Sequence, residues 1–502
     1  MNTIKDSKIM REDNIELPFC KRLETTYEIE LMGFQNRCLL YLGILPLKDT
    51  NEIWKIKLYR FYQVLGYIMY IPVILMEIYG CFHYRNDLNV VIDAIVPIGL
   101  GCIGFFVPLT VNWDNVLNHF EKMETKSAFI RIINDNNRKK IAILEEHYHW
   151  SRFFTKTFVL IANITGITWG LQVYLLEFLE TLTGENHSNS TINEEFPALK
   201  LYPIVVHLPY VDMTDTVICI ILNVIIMILI IMTCNRAGMT IVYFSTLLLY
   251  HSTLFTLVAV SLEEVDTEDS INIESNFNTS HDIGQPVIRK ENNRFQDSFE
   301  NYVLQKTQCN NLDIVNKRPR PIKSSMFNYS DNENQTEIAN EEQEIRAIDL
   351  LKDAIKDHQE ALQYVDRVND LISSYLFSEI SVGAVVLALA LFESVVNPNF
   401  AAKAKHVASA LAVVIGGWIV FRSGATVTDQ GQKVCEAACN TLWYKHSMKF
   451  RKLLYILIWK SQKPVIVVAG PLIEMTEKNF ADVVNGSYSY FTLLLQFEST
   501  KS

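Results

Sequence analysis

TVICIILNVIIMILIIMTCNRAGMTIVYFSTLLLYHSTLFTLVAV, residues Thr216 to Val260, is one apolar stretch of 45 positions interrupted by Asn235 and Arg236. At about 1.5 Å of rise per residue, a helix of this length far exceeds the ~30 Å hydrocarbon core of a bilayer. It is therefore either two spans with almost no loop, or one span that continues as a helix into the cytosol. Unpaired backbone polar groups are not tolerated in lipid, so a block of this kind is helical.

Working outward, similar blocks recur. Phe61 to Phe82 carries one acid, Glu77, near its end, and Val91 to Val111 carries Asp93 near its start. Phe158 to Phe178, Ile380 to Val396 and Ala404 to Phe421 follow the same pattern. Met475 to Phe497 is the least hydrophobic. Highly charged stretches separate these blocks, whereas a soluble protein of 502 residues mixes its apolar positions periodically. The expectation is an all-α, polytopic protein with seven transmembrane helices.

Charge sets the orientation. Asn112 to Lys156 holds eight lysines and arginines, including Arg138-Lys139-Lys140, and Arg422 to Lys463 holds eight more. The intervening segments Phe82–Asn89, Phe178–Thr216 and Asn397–Lys405 hold one, one and two. The positive-inside rule makes the basic segments cytosolic, with the N-terminus cytosolic and the C-terminus extracellular. Residues 1–54 are polar and charged, so the first span itself is expected to target the membrane.

The net charge of −11 and the lack of an extended basic patch argue against nucleic-acid binding. Nine cysteines are scattered without a CxxC pair or histidines at metal spacing, so no metal site and no cofactor are expected. Residues 262–345 are rich in Asn, Asp, Glu and Ser and read as a disordered cytosolic insert, with one basic cluster at Asn316 to Lys323. From Arg346 to Ile372, Leu350, Ile355, Ala361, Leu362, Val365, Val368 and Leu371 recur at helical spacing. They predict an amphipathic cytosolic helix running into the fifth span. The organisation is then 1–57 as a cytosolic entry segment, 58–261 as spans one to four and 262–345 as the insert. The cytosolic helix with spans five and six takes 346–422, a cytosolic segment takes 423–474, and the last span with a short tail takes 475–502.

In the last span, helical geometry places Asn485, Ser489, Thr492 and Gln496 in one polar stripe, bordered by Leu493 and Phe497. A polar stripe on a membrane helix faces water or other protein groups. Ser489, Thr492 and Gln496 are therefore expected to line a permeation path, with Leu493 and Phe497 at its constriction. An apolar side chain of this size closes a narrow pore by dewetting. A stripe hydrogen-bonded within its own bundle is the other reading.

The chain resembles the insect odorant receptor family. SYSYFTLL at Ser487–Leu494 is similar to the family's terminal signature, preceded by SQKP at Ser461–Pro464 and AGPLIEMTEKNF ending at Phe480. VCEAACNTLWY, Val434 to Tyr444, resembles its last cytosolic segment, and Tyr27 to Pro46, with Asn36-Arg37 and Gly43-x-x-Pro46, its entry segment. LPY at Leu208–Tyr210, with Asp212 soon after, resembles an extracellular-loop pattern. Leu45 stands where an aromatic is usual, and the insert departs from the family's short loop. Ser489-Tyr490 followed after five residues by Gln496-Phe497 is a partial match to the related gustatory receptors.

The resemblance implies the odorant-binding subunit of a ligand-gated, non-selective cation channel, completed as a heterotetramer by an odorant receptor co-receptor. Its place would be the plasma membrane of olfactory sensory neurons, at the dendrite, and its ligand a small volatile odorant. Spans two, three, four and six would surround the ligand. Thr165, Thr168, Trp169 and Gln172 share one helix face, joined by Met213, Val217 and Ile220 on the next span. Ala437, Ala438, Trp443 and Tyr444 would anchor neighbouring subunits; the alternative is a helix lying on the inner membrane face. A G-protein-coupled receptor is the rival seven-span class, but the charge bias has the opposite polarity and RFFTKTF, Arg152 to Phe158, contains no Asp-Arg-Tyr-like triplet. No internal repeat suggests a transporter, and no cluster of catalytic residues suggests an enzyme.

Overall fold

The structure, a computed structural model, describes residues 20–22, 27–47, 52–126, 129, 131–132, 137–183, 202–205, 215–278, 332–397 and 400–501. A two-stranded hairpin, β1 (Cys20–Arg22) and β2 (Tyr27–Ile29), leads into a short helix α1 (Gly33–Tyr41). The long helices are α2 (Ile53–His83), α3 (Leu88–Gly101), α5 (Arg138–Thr183), α6 (Thr216–Asn278), α7 (Asn332–Val396), α8 (Phe400–Asn440) and α10 (Glu477–Lys501). Shorter α4 (Trp113–Lys126) and α9 (Met448–Ser461) belong to the basic segments. A second hairpin, β3 (Val468–Ala469) and β4 (Ile473–Glu474), separates α9 from α10.

The chain is thus a polytopic helical membrane protein. Among the described residues, five helical segments have the length and apolarity to cross a bilayer: Ile53–His83, Val90–Thr110, Val217–Val265, Glu341–Val396 and Ala402–Lys445. They expose large apolar side chains outward, among them Phe61, Leu75, Ile228 and Leu411. A solvated surface rarely sustains so much contiguous apolar area, and lipid removes the penalty. The polar residues of α10 keep it out of this set.

The Thr216–Val260 stretch is a single helix. α6 runs unbroken for 63 residues, ~95 Å, and carries its chain well past one bilayer thickness. It continues to Asn278, and α7 begins at Asn332, so helix enters both ends of the segment read as a disordered insert. The middle of that segment, including the Asn316–Lys323 cluster, lies outside the described residues. α7 is likewise continuous from its amphipathic part into its apolar part, with Ala361, Val365, Val368 and Ile372 buried on one face.

Asn235 and Arg236 therefore do not mark a loop. Arg236 is buried, and its guanidinium reaches three elements. Nε donates to the Gly104 carbonyl at 3.1 Å, Nη2 to the Tyr67 hydroxyl at 3.1 Å, and Nη1 to the Leu42 carbonyl. The cation also lies over the Phe105 ring at 4.6 Å. Each acceptor is available for a local reason. Cys102 to Phe106 form a π turn after α3, in which the wider hydrogen-bond spacing loosens the backbone around Gly104. Leu42 ends α1 in a Schellman arrangement: Gly43 takes φ 68°, and the Gly43 and Ile44 amides return to the Leu40 and Leu39 carbonyls, leaving the Leu42 carbonyl free. Tyr59 and Gln63 of α2 donate to carbonyls of the same segment, Leu40, Gly43 and Leu45.

Packing differs between the two ends of the bundle. Toward the basic segments, a large core joins Tyr243, Phe244 and Phe255 of α6 to Val368 and Tyr375 of α7, Val427 and Val434 of α8, and Phe450 and Leu454 of α9. There His119 and His251 meet ring to ring with Nε2 atoms 3.0 Å apart. Burial, with Arg367 and Lys122 adding to it, pushes the His119 imidazole down to about 4, so it is neutral at physiological pH. The opposite end has a smaller core around Val73, Val96, Ile226, Leu229 and Leu387.

Replacing Arg236 by leucine leaves the Gly104 and Leu42 carbonyls buried without a donor. Hydrogen bonds to charged groups contribute about 1.5–3 kcal/mol each, so a loss on the order of 3 kcal/mol is expected. Arg236→Lys should recover only part of it, because an ammonium lacks the planar fork. Melting of the purified full chain checks this; a leucine variant as stable as wild type refutes it.

Candidate functional site

Small side chains at the centre of the bundle leave a cavity of about 130 Å³. Gly238 of α6, Gly383 and Ala384 of α7, and Ala412, Gly416 and Gly417 of α8 all line it. Helix axes pack 8–10 Å apart according to the side chains between them, so such positions hold open space only where larger neighbours prop the helices apart. Phe158 of α5, Phe421 of α8 and Phe480 of α10 are the large residues on the same wall. Apolar side chains supply nearly all of the lining; Thr165, Ser409, Cys234 and Glu379 are its polar exceptions.

The residues proposed for the ligand from sequence divide. Thr165 lines the cavity. Thr168 is half-buried and turns its hydroxyl to the Ile164 carbonyl at 2.8 Å. Trp169 is 2% exposed and stands behind the wall, donating from Nε1 to the Ser409 Oγ at 2.8 Å. Val217 and Ile220 point away from the bundle, 65% and 58% exposed, and do not join the others. Met213 and the side chain of Gln172 lie outside the described residues. The helical period placed four residues on one face, but only contacts with α8 show which part of that face meets open space.

Behind Trp169 lies a buried charged cluster that the sequence reading missed. Lys405 is 1% exposed, its Nζ 2.7 Å from Asp93 Oδ1 and 5.0 Å from the centre of the Trp169 ring. His406 Nε2 contacts the same carboxylate oxygen at 2.7 Å. Asp93 was visible as an acid inside an apolar span, which requires a partner. Lys405, however, was counted as one charge of a short loop. Glu393 is buried on α7 and accepts from Asn397 Nδ2 at 3.2 Å.

α10 presents two faces. Phe480 meets Phe421 at 5.6 Å, and the buried Ser487 donates to the Ala384 carbonyl of α7 at 3.0 Å. On the other face Asn485, Ser489 and Gln496 are exposed, as are Leu493 at 45% and Phe497 at 58%, while Thr492 is half-buried. Ser489 and Thr492 bond back to helix carbonyls of Asn485 and Ser489. No described residue of the bundle covers this stripe by hydrogen bonding to it.

At the basic end, Ala438 is buried in the core and Ala437 is half-buried against it. Trp443 and Tyr444 are 47% and 58% exposed on a 3-10 turn. Arg451 braces that turn by donating to the Trp443, Tyr444 and His446 carbonyls. Glu344 of α7 clasps the same turn, accepting from His446 Nδ1 at 2.9 Å and the Ser447 amide at 3.0 Å.

A family model, 7tm Odorant receptor, matches residues 118–488. The chain belongs to the 7tm odorant receptor family. Odorant receptor Or2 of Anopheles gambiae is 30% identical over 146 residues, covering 29% of this chain and 38% of that protein. Odorant receptor 67c of Drosophila melanogaster is 24% identical over 168 residues, covering 34% and 41%. The chain thus aligns with well under two thirds of the length of these curated relatives. The fold is that of the olfactory receptor OR5 of Machilis hrabei, with a TM-score of 0.64 at 10% identity over 93% of this chain and 97% of that one. The same receptor in complex with eugenol gives 0.62 at 11% identity.

Asp93→Asn in this odorant receptor leaves Lys405 buried without its countercharge. Breaking a buried pair costs about 3–5 kcal/mol, whereas removing both charges costs far less. Melting of the single variant and of Asp93→Asn/Lys405→Met should show the double variant recovering more than half of the loss. Additive losses would mean that the two groups are not coupled.

Proposed function

We propose that this odorant receptor is the odorant-binding subunit of a ligand-gated, non-selective cation channel, completed by co-receptor subunits in a heterotetramer. One observation carries the reading. The cavity is walled jointly by Thr165 on α5 and by Phe480, Val483 and Val484 on α10, so an occupant touches the helix whose other face is the uncovered polar stripe. A ligand shifts a conformational equilibrium only through contacts that differ between the two states, and here those contacts fall directly on α10. Apolar lining with a few polar groups suits small volatile molecules recognised mainly by shape.

In this reading Ser489, Thr492 and Gln496 face the permeation path in the assembled channel, with Leu493 and Phe497 at the constriction. The path has no ring of acids, which suits weak discrimination among cations. The basic end is cytosolic, the Lys405 end extracellular, and the channel sits in the plasma membrane of olfactory dendrites. Trp443 and Tyr444 contribute to the contact between subunits. The β3–β4 hairpin that precedes α10 is held to α7: Ser373 and Asn369 bond to Val468, and the Gly470 amide donates to the Ser373 carbonyl.

Cysteine at Gln496 or Leu493, expressed with a co-receptor, should make odorant-evoked current sensitive to an external thiol reagent. Normal current without reagent effect at both positions removes α10 from the pore. Thr165→Val keeps side-chain volume and deletes one hydroxyl, so it should reorder the odorants by potency. A uniform fall of all responses in proportion to surface expression would refute the ligand site.

A further inference from the structure

Resting on the reading of this cavity as the odorant site, we infer that its ligand enters sideways from the bilayer, through the seam between α5 and α8, and that Ile415 sets the width of that entrance. Ile415 belongs to the cavity wall and is also 40% exposed. Leu411 and Trp418, one turn to either side on the same face of α8, do not line the cavity and are 56% and 50% exposed. One side chain therefore borders both the cavity and the surface that meets lipid.

Helical phase places this border. Successive residues turn by about 100°. Ser409 accepts from Trp169 of α5, and Gly416, almost in line with it, faces Ile241 of α6, which a Cβ there would meet at 3.2 Å. Gly417 and Phe421 rotate to one flank, against Phe480 of α10. Ala412 and Ile415 rotate to the other flank, beside α5. One and two turns from the Trp169–Ser409 bond, α5 contributes Thr165 and Ile161 to the wall, both half-buried. Leu160 and Ile164 next to them are 60% and 56% exposed. The seam is therefore flanked by apolar surface on both helices, and Ala412 adds little bulk to close it.

Among the described residues, the route from the Lys405 end is covered. The Trp169–Ser409 bond crosses from α5 to α8, and beyond it Lys405 is held by Asp93 and donates to the Pro203 carbonyl at 3.5 Å. Tyr202 and Ile204 are buried in the same small core as Trp169. A ligand passing that way has to part a buried ion pair, whereas at the seam it displaces one aliphatic side chain. Lipid also concentrates uncharged apolar molecules from water. An apolar cavity of roughly 150 Å³ accepts benzene, so about 130 Å³ takes a single ring or a chain of similar bulk.

An entrance changes the rates of binding and release together and leaves affinity alone, because affinity depends only on the end states. The probe is fluorobenzene, with the full receptor and its co-receptor purified in lipid nanodiscs. Fluorine NMR reads its exchange between lipid and cavity without reference to gating, and Thr165→Trp, which fills the cavity, identifies the bound signal belonging to this chain. Currents evoked by the same compound give onset, washout and half-maximal concentration. Ile415→Phe should slow exchange, onset and washout together about tenfold, the scale of a side chain too large for its packing site. The half-maximal concentration should stay where it was. Tyr202→Ala, which thins the cover at the Lys405 end, should exchange at the wild-type rate. Unchanged rates in Ile415→Phe, or faster exchange in Tyr202→Ala, overturns the inference. Should Ile415→Phe fail to fold, Ile415→Cys alkylated with N-ethylmaleimide after assembly decides, read against wild type treated in the same way. Slowed exchange without current would sustain the entrance and defeat the channel reading; normal current with exchange unslowed would do the reverse. Loss of no bound signal in Thr165→Trp would remove the cavity as the ligand site and the entrance with it.

Discussion

A full positive charge in the middle of an apolar helix has to be compensated on the spot, and in this receptor much of the architecture converges on that one requirement. Arg236 collects the Leu42 carbonyl from the entry segment, the Gly104 carbonyl from the π turn after α3, and the Tyr67 hydroxyl from α2. Its aromatic neighbours Tyr67 and Phe105 cover the charge as well as supplying contacts. Glycine at 104 is required for the approach, because a Cβ there would sit 2.8 Å from the Thr233 carbonyl of α6. The guanidinium therefore fixes where the entry segment docks, how close α3 lies to α6, and which way α2 faces.

From that point the two ends of the bundle diverge. Aromatic residues interdigitate toward the basic segments and seal the helices into one core, so that end resists deformation. The opposite half is built from glycine, alanine and β-branched residues around open space, with Lys405, Asp93 and His406 acting as a polar rivet beyond it. α10 rests on the boundary, attached to α7 and α8 on one side and bare on the other.

The spans were legible because hydrophobic length is a local property. Continuity of α6 was not, since a polar pair such as Asn235-Arg236 suits a loop as well as a buried junction, and the choice rests on distant carbonyls. Of the polar stripe expected on α10, Asn485, Ser489 and Gln496 are exposed and Thr492 is half-buried. Of the residues expected on the ligand face, Thr165 lines the cavity, while Val217 and Ile220 turn outward. Period gives the spacing of a face but not its phase against neighbouring helices, and in lipid an apolar residue is equally suited to either side.

What the sequence determined by itself is the class of protein: apolar blocks of membrane length, their separation by basic segments, and the ordered motifs near the C-terminus that mark the family. Each of these is carried by residues close together in the chain. Tertiary structure decided the pairing of Asp93 with Lys405 and His406, the burial of Ala438 inside its own subunit, and the placement of Glu379 on a cavity wall. Those outcomes depend on which helices meet and at what rotation. A buried charge or a cavity is a property of several helices at once, and no one segment contains it.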